Sequence, residues 1–208
     1  MSEPLVQPSE VCHRAFGLMQ ARKLEDAEKL LTTHLAKTED PTALALYHSA
    51  LGVLCKFRQD YKAAWRHYQR AEKLLPDDPA LKIIVARLLI EQFAEYGAAI
   101  KRARKVLDLV PKNPVFVHQA FVTMGLAHVK KAEKKKALEC LKYSHAGDFA
   151  GFVSANNIDF NLVEALLRKS WGREECRVFV AAALAFAQQT GEQELIDTFQ
   201  KMLNGFSS

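Results

Sequence analysis

Three dipeptides constrain the fold of this chain most, because each joins a helix-capping residue to a proline. They are Asp40-Pro41, Asp78-Pro79 and Asn113-Pro114, and they lie 38 and 35 residues apart. An Asp or Asn side chain accepts hydrogen bonds from the free N–H groups at a helix N-terminus, and proline fits the first helical position, where its missing N–H costs nothing. Each dipeptide therefore predicts a helix start, and the spacing predicts a repeat of roughly 34 residues or slightly more.

The segments between these dipeptides have helical periodicity. From Tyr61 to Leu75, apolar residues recur every three or four positions, and basic residues occupy the opposite face. This pattern is typical of an amphipathic helix. No segment alternates apolar and polar residues long enough, between turn signals, to predict a sheet. The sequence therefore predicts an all-α chain of helix hairpins.

Composition narrows the class of protein. Of the 208 residues, 49% are hydrophobic, yet the longest apolar runs are shorter than the ~20 residues that a bilayer requires. The first ten residues lack the basic and apolar regions of a signal peptide, so we expect no membrane span and a cytoplasmic location. The four cysteines are far apart and form no C-x-x-C pair, which favours buried free thiols over disulfides or a metal site.

Catalytic motifs are absent from the sequence. We find no nucleophile elbow, zinc-protease motif, phosphate-binding loop or dinucleotide-binding motif,. The seven histidines are scattered, and His48 and His128 are expected to pack or form hydrogen bonds within helices. We therefore predict a chain without enzymatic activity, cofactor or metal. The enzymatic alternative would use Cys176 or His145, and it requires an accessible thiol of low pKa.

The second hairpin resembles the tetratricopeptide repeat (TPR) family. That family has L-G-x2-Y in its first helix, A-x3-F-x2-A in its second helix and a closing proline. The corresponding residues here are Leu51-Gly52-x2-Cys55, Ala64-x3-Tyr68-x2-Ala71 and Pro76, and only the aromatic residue of the first helix is replaced, by Cys55. The flanking repeats match more loosely, and the third has one extra residue in its inner turn, near Glu95 to Gly97.

The resemblance implies a right-handed α-solenoid of about four helix hairpins with a helical C-terminal cap. The expected organisation is an N-terminal extension over residues 1–8, repeats at about 9–40, 41–78, 79–113 and 114–145, and a cap region over 146–208. Within the cap, we expect a helix near 159–169, a turn at Trp171-Gly172, and a hairpin of helices 174–189 and 192–204. Thr190 and Gln193 have the spacing of a capping box.

The resemblance also implies a function and a binding site. First helices of successive TPR repeats line a concave groove that holds a segment of a partner protein, so we expect a scaffold or adaptor. A chaperone for an export or assembly substrate is the alternative, and a homodimer is compatible with either. Carried over by position, the groove residues are Ser9, Cys12, Phe16, Met19, Leu46, Ser49, Val53, Lys56, Ala80, Ile83, Arg87, Ile90, Gln119, Val122, Leu126 and Val129.

This expected groove is mostly apolar. Only Lys56 and Arg87 are basic, so the groove lacks the carboxylate clamp of chaperone-binding TPR proteins. It either receives an apolar or amphipathic segment of another protein or is filled by the chain's own C-terminal stripe, which contains Val178, Phe179, Ala182 and Phe186.

Lysines cluster around the turn of the fourth repeat. These lysines form either a solvated surface or a docking patch for an acidic protein, with nucleic acid the less favoured partner because aromatic residues are not interleaved with them. They are Lys130, Lys131, Lys134, Lys135 and Lys136.

Overall fold

The computed structural model describes residues 7–206, so most of the expected N-terminal extension lies outside the described residues. The described residues form eleven α-helices and no β-strand, which confirms the predicted all-α class. The helices are α1 (Pro8–Gln20), α2 (Leu24–Leu35), α3 (Pro41–Phe57), α4 (Tyr61–Leu74), α5 (Pro79–Leu88), α6 (Tyr96–Leu109), α7 (Pro114–Lys130), α8 (Lys134–Ser144), α9 (Asn161–Arg168), α10 (Arg173–Thr190) and α11 (Gln193–Asn204).

The chain divides into two compact units, Met1–Leu81 and Lys82–Ser208. In the first unit, α1 packs against α2, and α3 packs against α4, α1 and α2. In the second unit, α7 packs against α6, α8 and α9, while α10 packs against α8, α9 and α11. Each helix thus buries its apolar face against neighbouring helices, as expected for a stack of hairpins.

The three dipeptides begin helices as predicted. Pro41, Pro79 and Pro114 are the first residues of α3, α5 and α7. In each case the preceding side chain accepts a hydrogen bond from a backbone N–H in the first turn. These bonds run from Ala43 N to Asp40 (2.7 Å), from Leu81 N to Asp78 (2.8 Å) and from Phe116 N to Asn113 (3.2 Å).

The turns inside the hairpins share one backbone geometry. A left-handed residue follows each first helix: Arg22, Gln59, Ala94, Ala132 and Ser170, with φ between 55° and 62°. In four of these turns the next N–H bonds to a carbonyl five residues earlier, at 2.9 Å, in Lys23, Asp60, Glu133 and Trp171. This is the Schellman pattern of helix C-termini. Since Ser170 lies between α9 and α10, these two helices form a fifth hairpin that the sequence motif did not identify.

The third hairpin contains the predicted extra residue. The structure accommodates it in a π-helical turn, Leu89–Phe93, which directly continues α5. The N–H of Glu95 consequently bonds to Leu89 O, six residues earlier, instead of five. A π-bulge absorbs an insertion in this way without interrupting the helix.

Small residues allow close approaches between helices in both units. A Cβ atom added to Gly52 would lie 2.6 Å from the Tyr68 ring of α4. One added to Gly125 of α7 would lie 2.4 Å from Leu162 of α9. In the fifth hairpin, Val163 replaces this glycine, and the buried Cys176 contacts its carbonyl. Cys176 therefore occupies the role of the small residue in the second helix, which explains its burial.

The C-terminal elements lie where the sequence placed them, except for one cap. The predicted capping box is wrong, because Thr190 belongs to the last turn of α10 and α11 begins after Glu192. The Thr190 hydroxyl contacts Phe186 O and Ala187 O at 3.2 Å each and donates to Glu192. Among the described helices, none is long and apolar enough to span a bilayer.

Candidate protein-binding groove

The second unit contains a groove between first helices of successive hairpins, here called the α5–α7–α9 groove. It encloses a cavity of about 190 Å³. Its lining residues are Arg87, Ile90 and Glu91 from α5 and the π-helical turn, Leu126 and Lys130 from α7, and Asn161, Glu164, Ala165 and Arg168 from α9. Four of these nine were predicted as groove or basic-patch residues: Arg87, Ile90, Leu126 and Lys130.

The groove combines an apolar floor with charges of both signs. Leu126 and Ala165 are half-buried and provide most of the floor, to which Ile90, only 5% exposed, adds little. Glu164 and Arg168 form an ion pair at 2.9 Å on α9. Lys130 and Glu91 are exposed, so charged side chains border the apolar floor.

Arg87 is held by the chain itself. Its guanidinium forms an ion pair with Asp159, and their side chains are 21% and 16% exposed. Asp159 also accepts hydrogen bonds from the backbone N–H (2.9 Å) and the side-chain amide (2.7 Å) of Asn161. Burial alone would raise the pKa of Asp159, but Arg87 and Asn161 hold it below its usual value. Arg87 is therefore a paired wall residue rather than a free cation for a partner.

His118 fixes the segment that supplies Asp159. The ring is buried, its Nδ1 lies 2.7 Å from Ser144 O, and its Nε2 lies 2.9 Å from the Asp159 N–H. Because the Asp159 N–H must donate, Nε2 accepts, and the proton is on Nδ1. Burial is the main cause that lowers the pKa of His118, so the neutral ring is favoured. Phe149, Phe152 and Phe179 surround it with ring centroids 5.5–6.2 Å away.

Several predicted groove residues belong to the core. Met19 and Val122 are fully buried, and Ile83 and Val129 are 5% and 6% exposed. Met19 packs in the core of the first unit, while Val122 and Val129 pack in that of the second unit. Because neighbouring helices cover these side chains, they cannot contact a partner in this conformation. Helix offsets placed the predicted residues on first helices, but they did not separate positions facing the groove from positions facing the next helix.

Several predicted groove residues of the first unit remain partly accessible. Phe16 of α1 is 38% exposed and Leu46 of α3 is 36% exposed. Ser49, Val53 and Lys56 follow Leu46 at helical spacing and are half-buried. They form a mixed, mainly apolar face on α3. Cys12 is buried, whereas Ser9 and Ala80 are exposed and Gln119 is half-buried.

The C-terminal stripe does not fill the α5–α7–α9 groove. Phe179 and Phe186 are buried in the aromatic core with Phe149, and Val178 is 46% exposed. The C-terminal region instead contributes α9 as a wall. The helix expected near 159–169 is α9, but the motif glycine is absent from it, so the repeat was not recognised.

The five predicted lysines surround the turn between α7 and α8, and all are exposed. Glu133 in this turn binds Lys131 at 3.3 Å and Lys136 at 3.1 Å, and its Oε2 lies 2.6 Å from Nδ1 of His128. The hydrogen bonds from His128 and Lys136 lower the pKa of Glu133 to about 2. This turn therefore holds one carboxylate among several ammonium groups.

The residues of the enzymatic alternative serve the fold. Cys176 is fully buried, and burial raises the pKa of its thiol to about 12. Nδ1 of His145 lies 2.8 Å from Leu141 O. In residues 7–206, no group of three or more His, Cys, Asp or Glu side chains could hold a metal ion.

The chain was compared with known proteins by sequence and by structure. No protein-family model matches it, and no curated protein sequence matches it significantly. Solved structures do match. PilF of Pseudomonas aeruginosa aligns with a TM-score of 0.64 at 16% identity, covering 94% of this chain and 90% of PilF.

Two further structures give the same result. PilW, a widely conserved type IV pilus biogenesis factor, has a TM-score of 0.66 at 13% identity and covers 95% of this chain and 92% of its own. YrrB, a TPR protein with an unusual peptide-binding site, has a TM-score of 0.53 at 15% identity, with coverage of 94% and 92%. Together with the repeated hairpin turns, these similarities show that the chain has an all-α fold of the TPR type.

Proposed function

We propose that this chain is a non-enzymatic scaffold or adaptor that binds a segment of a partner protein in the α5–α7–α9 groove. One observation carries the proposal. Three successive first helices contribute equivalent residues to one cavity with an apolar floor. These residues are Arg87, Leu126 and Glu164. First helices of repeat proteins commonly form such extended binding surfaces.

The size and chemistry of the cavity favour a protein segment over a small molecule. Its volume of about 190 Å³ is below the roughly 300–1,000 Å³ of typical small-molecule pockets. The floor accepts an apolar side chain, and Glu91 and Lys130 at the border can pair with charges that flank it. An amphipathic segment with an apolar anchor between charged residues satisfies both requirements.

A selection experiment tests this proposal. Peptides are selected from a displayed library on the wild-type chain, and their affinities are measured by calorimetry. Leu126→Glu places a charge on the apolar floor, so we expect a loss of about tenfold or more, or roughly 1.4 kcal/mol. The matched control is Val178→Glu, an exposed valine on α10 outside the groove, which should change affinity by less than about twofold. Equal losses in both variants would contradict the proposal.

The second candidate is a chaperone for an export or assembly substrate. It is favoured by the similarity to PilW, which is described as a pilus biogenesis factor. Coexpression with an identified partner separates the two functions. A scaffold binds a partner that is stable alone, whereas a chaperone keeps soluble a partner that otherwise aggregates. Cytoplasmic location and homodimer formation stay predictions, tested by fractionation and by light scattering.

A further inference from the structure

Positive charge is concentrated in one quarter of the chain. Residues 96–145 contain eleven basic and three acidic residues, a net charge of +8, whereas the whole chain has +5. The remaining residues therefore have a net charge of −3. A local excess of this size creates a positive potential over the surface that carries it.

Eight of these eleven basic residues lie on α6 and α8, the second helices of successive hairpins in the second unit. Exposed lysines and arginines of α6 include Lys101, Arg104 and Lys105. Ala103 of α6 shares a core cluster with Ala137 and Leu141 of α8. Both helices therefore cover the same core. The basic residues of α6 and α8 thus form one surface, here called the basic face.

The fold does not require the positive charges of Lys134 and Lys135 on this face. Lys134 and Lys135 lie in the first turn of α8, where the positive end of the helix dipole disfavours cations. Within the described residues, neither lysine has an ion-pair partner. Their charges oppose helix stability and leave the ammonium groups available to an outside ligand.

We propose that the basic face binds an acidic segment of a partner protein, independently of the groove. The positive charge of the face favours an anionic partner. The turn between α7 and α8 indicates that the anionic groups of this partner are carboxylates. Glu133 already binds two lysines there, at 3.1 and 3.3 Å, so partner carboxylates would extend an existing arrangement of ammonium and carboxylate groups.

Other anionic partners fit this face less well. Six of the eight basic residues of α6 and α8 are lysines, which lack the guanidinium fork suited to phosphate recognition. The exposed large hydrophobic residue of the face is Tyr143, and its ring packs 5.3 Å from that of Phe121. A single packed ring provides neither a series of stacking platforms for nucleic-acid bases nor an apolar anchor for a membrane.

Paired charge reversals test the basic face. The test variant carries Lys134→Glu and Lys135→Glu, which favours α8 because acidic residues complement its N-terminus. The control variant carries Lys62→Glu and Lys73→Glu on the exposed face of α4, with the same change in net charge. Circular dichroism checks that both variants fold. The probe is a fluorescent peptide of alternating glutamate and alanine, measured by anisotropy at low and physiological salt.

We expect the test variant to lose about tenfold in peptide affinity and the control to lose about twofold or less. Equal losses would show attraction by net charge alone and would overturn the proposal, as would no wild-type binding at physiological salt. Single-stranded DNA and phosphatidylserine vesicles are measured in parallel. Suppose that DNA or vesicles bind the wild type more tightly than the peptide does, and that the Lys134→Glu and Lys135→Glu variant loses this binding. The partner is then a phosphate-bearing molecule and not an acidic protein segment.

Discussion

Residues at the same repeat position in first helices differ in chemistry between the two units. In the first unit, Phe16 is an exposed apolar residue. The equivalent residue of α5 in the second unit is Arg87, which Asp159 holds in place. The difference arises outside the repeat motif, because Asp159 comes from the segment that precedes α9. The repeat offset places Phe16 and Arg87 at equivalent helix positions, whereas a later segment decides that Arg87 is not free to bind.

The histidines of the two units differ in a related way. His118 uses both ring nitrogens within the fold of the second unit. In the first unit, the Nδ1 atoms of His48 and His67 lie 3.1 Å apart, so one ring donates a hydrogen bond to the other. Protonation of both rings removes the acceptor and places two positive charges together. The first unit thus joins α3 and α4 by a contact that requires at least one neutral ring.

The largest effect is expected from Asp159→Ala. This change leaves the Arg87 guanidinium largely buried without its counterion, a situation that typically costs about 3 kcal/mol. Hydrogen exchange should show faster opening of α7 and α9, while α3 and α4 remain protected. Asp108→Ala on the exposed face of α6 serves as the control and should be nearly neutral. If both substitutions have the same small effect, Arg87 does not depend on Asp159.

Two glycine substitutions should each destabilise one unit. Gly52→Ala brings a Cβ atom within 2.6 Å of the Tyr68 ring in the first unit, and Gly125→Ala brings one within 2.4 Å of Leu162 in the second. Overpacking of this kind costs about 1–3 kcal/mol. Chemical denaturation combined with hydrogen exchange identifies the affected helices.

Gly17→Ala is the matched control for these glycines, since nothing lies within 4 Å of its added Cβ atom. It should stabilise α1 by up to about 1 kcal/mol, because alanine favours helix over glycine. A gain in stability from Gly52→Ala or Gly125→Ala would contradict the close helix packing described above.

Acid should weaken the contact between His48 and His67. Burial lowers the pKa of both rings. His67 and Arg70 lower the pKa of His48 further. Arg70 and Arg66 lower the pKa of His67, whereas Glu28 raises it. Because the folded pKa values lie below the ordinary 6.5, the unfolded chain binds more protons below that pH. The stabilisation is complete above pH 6.5 and is lost as the pH falls towards the folded values.

The measurement is unfolding by denaturant from about pH 7.5 to about pH 5. A variant with His48→Gln and His67→Gln should lose less stability over this range than the wild type, and the difference should map to α3 and α4 by hydrogen exchange. The remaining pH dependence includes His118 in the second unit, whose pKa burial also lowers. Identical pH profiles for both proteins would exclude a role for the pair.

The smallest effect is expected in the hairpin turns. Ala132 has a φ of 58°, a left-handed conformation that glycine adopts without steric cost. Ala132→Gly should therefore raise the free energy of unfolding by about 1 kcal/mol or less. Ala185→Gly at an exposed position inside α10 should lower it by about 0.5–1 kcal/mol. Thermal melts compare the two, and a loss in both variants would contradict the turn geometry.

Much of the fold was predictable because it depends on local signals. The Asp-Pro and Asn-Pro caps, the extra residue of the third hairpin and the C-terminal helices all follow from neighbouring residues. The fifth hairpin was missed because Val163 and Cys176 replace the small residues of the motif. Recognition of that hairpin requires the turn at Ser170, whose left-handed backbone has no glycine to indicate it.

The groove was only partly predictable because its walls come from distant segments. The positions of Arg87, Ile90 and Leu126 in the repeat predicted them as groove residues. The contributions of Asn161, Glu164 and Ala165 depend on how α9 packs against α7, which the motif does not encode. Similarly, the burial of Val122 and Val129 results from helix packing within the second unit. Side-chain accessibility is a tertiary property, so a repeat pattern alone could not determine it.

Site-specific photocrosslinking tests the central claim most directly. A photoreactive phenylalanine analogue is placed at position 126 or 165 in the α5–α7–α9 groove, at position 16 in the first unit, or at position 178 outside both. A library-selected peptide should crosslink from positions 126 and 165 and not from position 178. Crosslinking from position 16, with none from 126 or 165, would place the binding site on the first unit and contradict binding in the α5–α7–α9 groove.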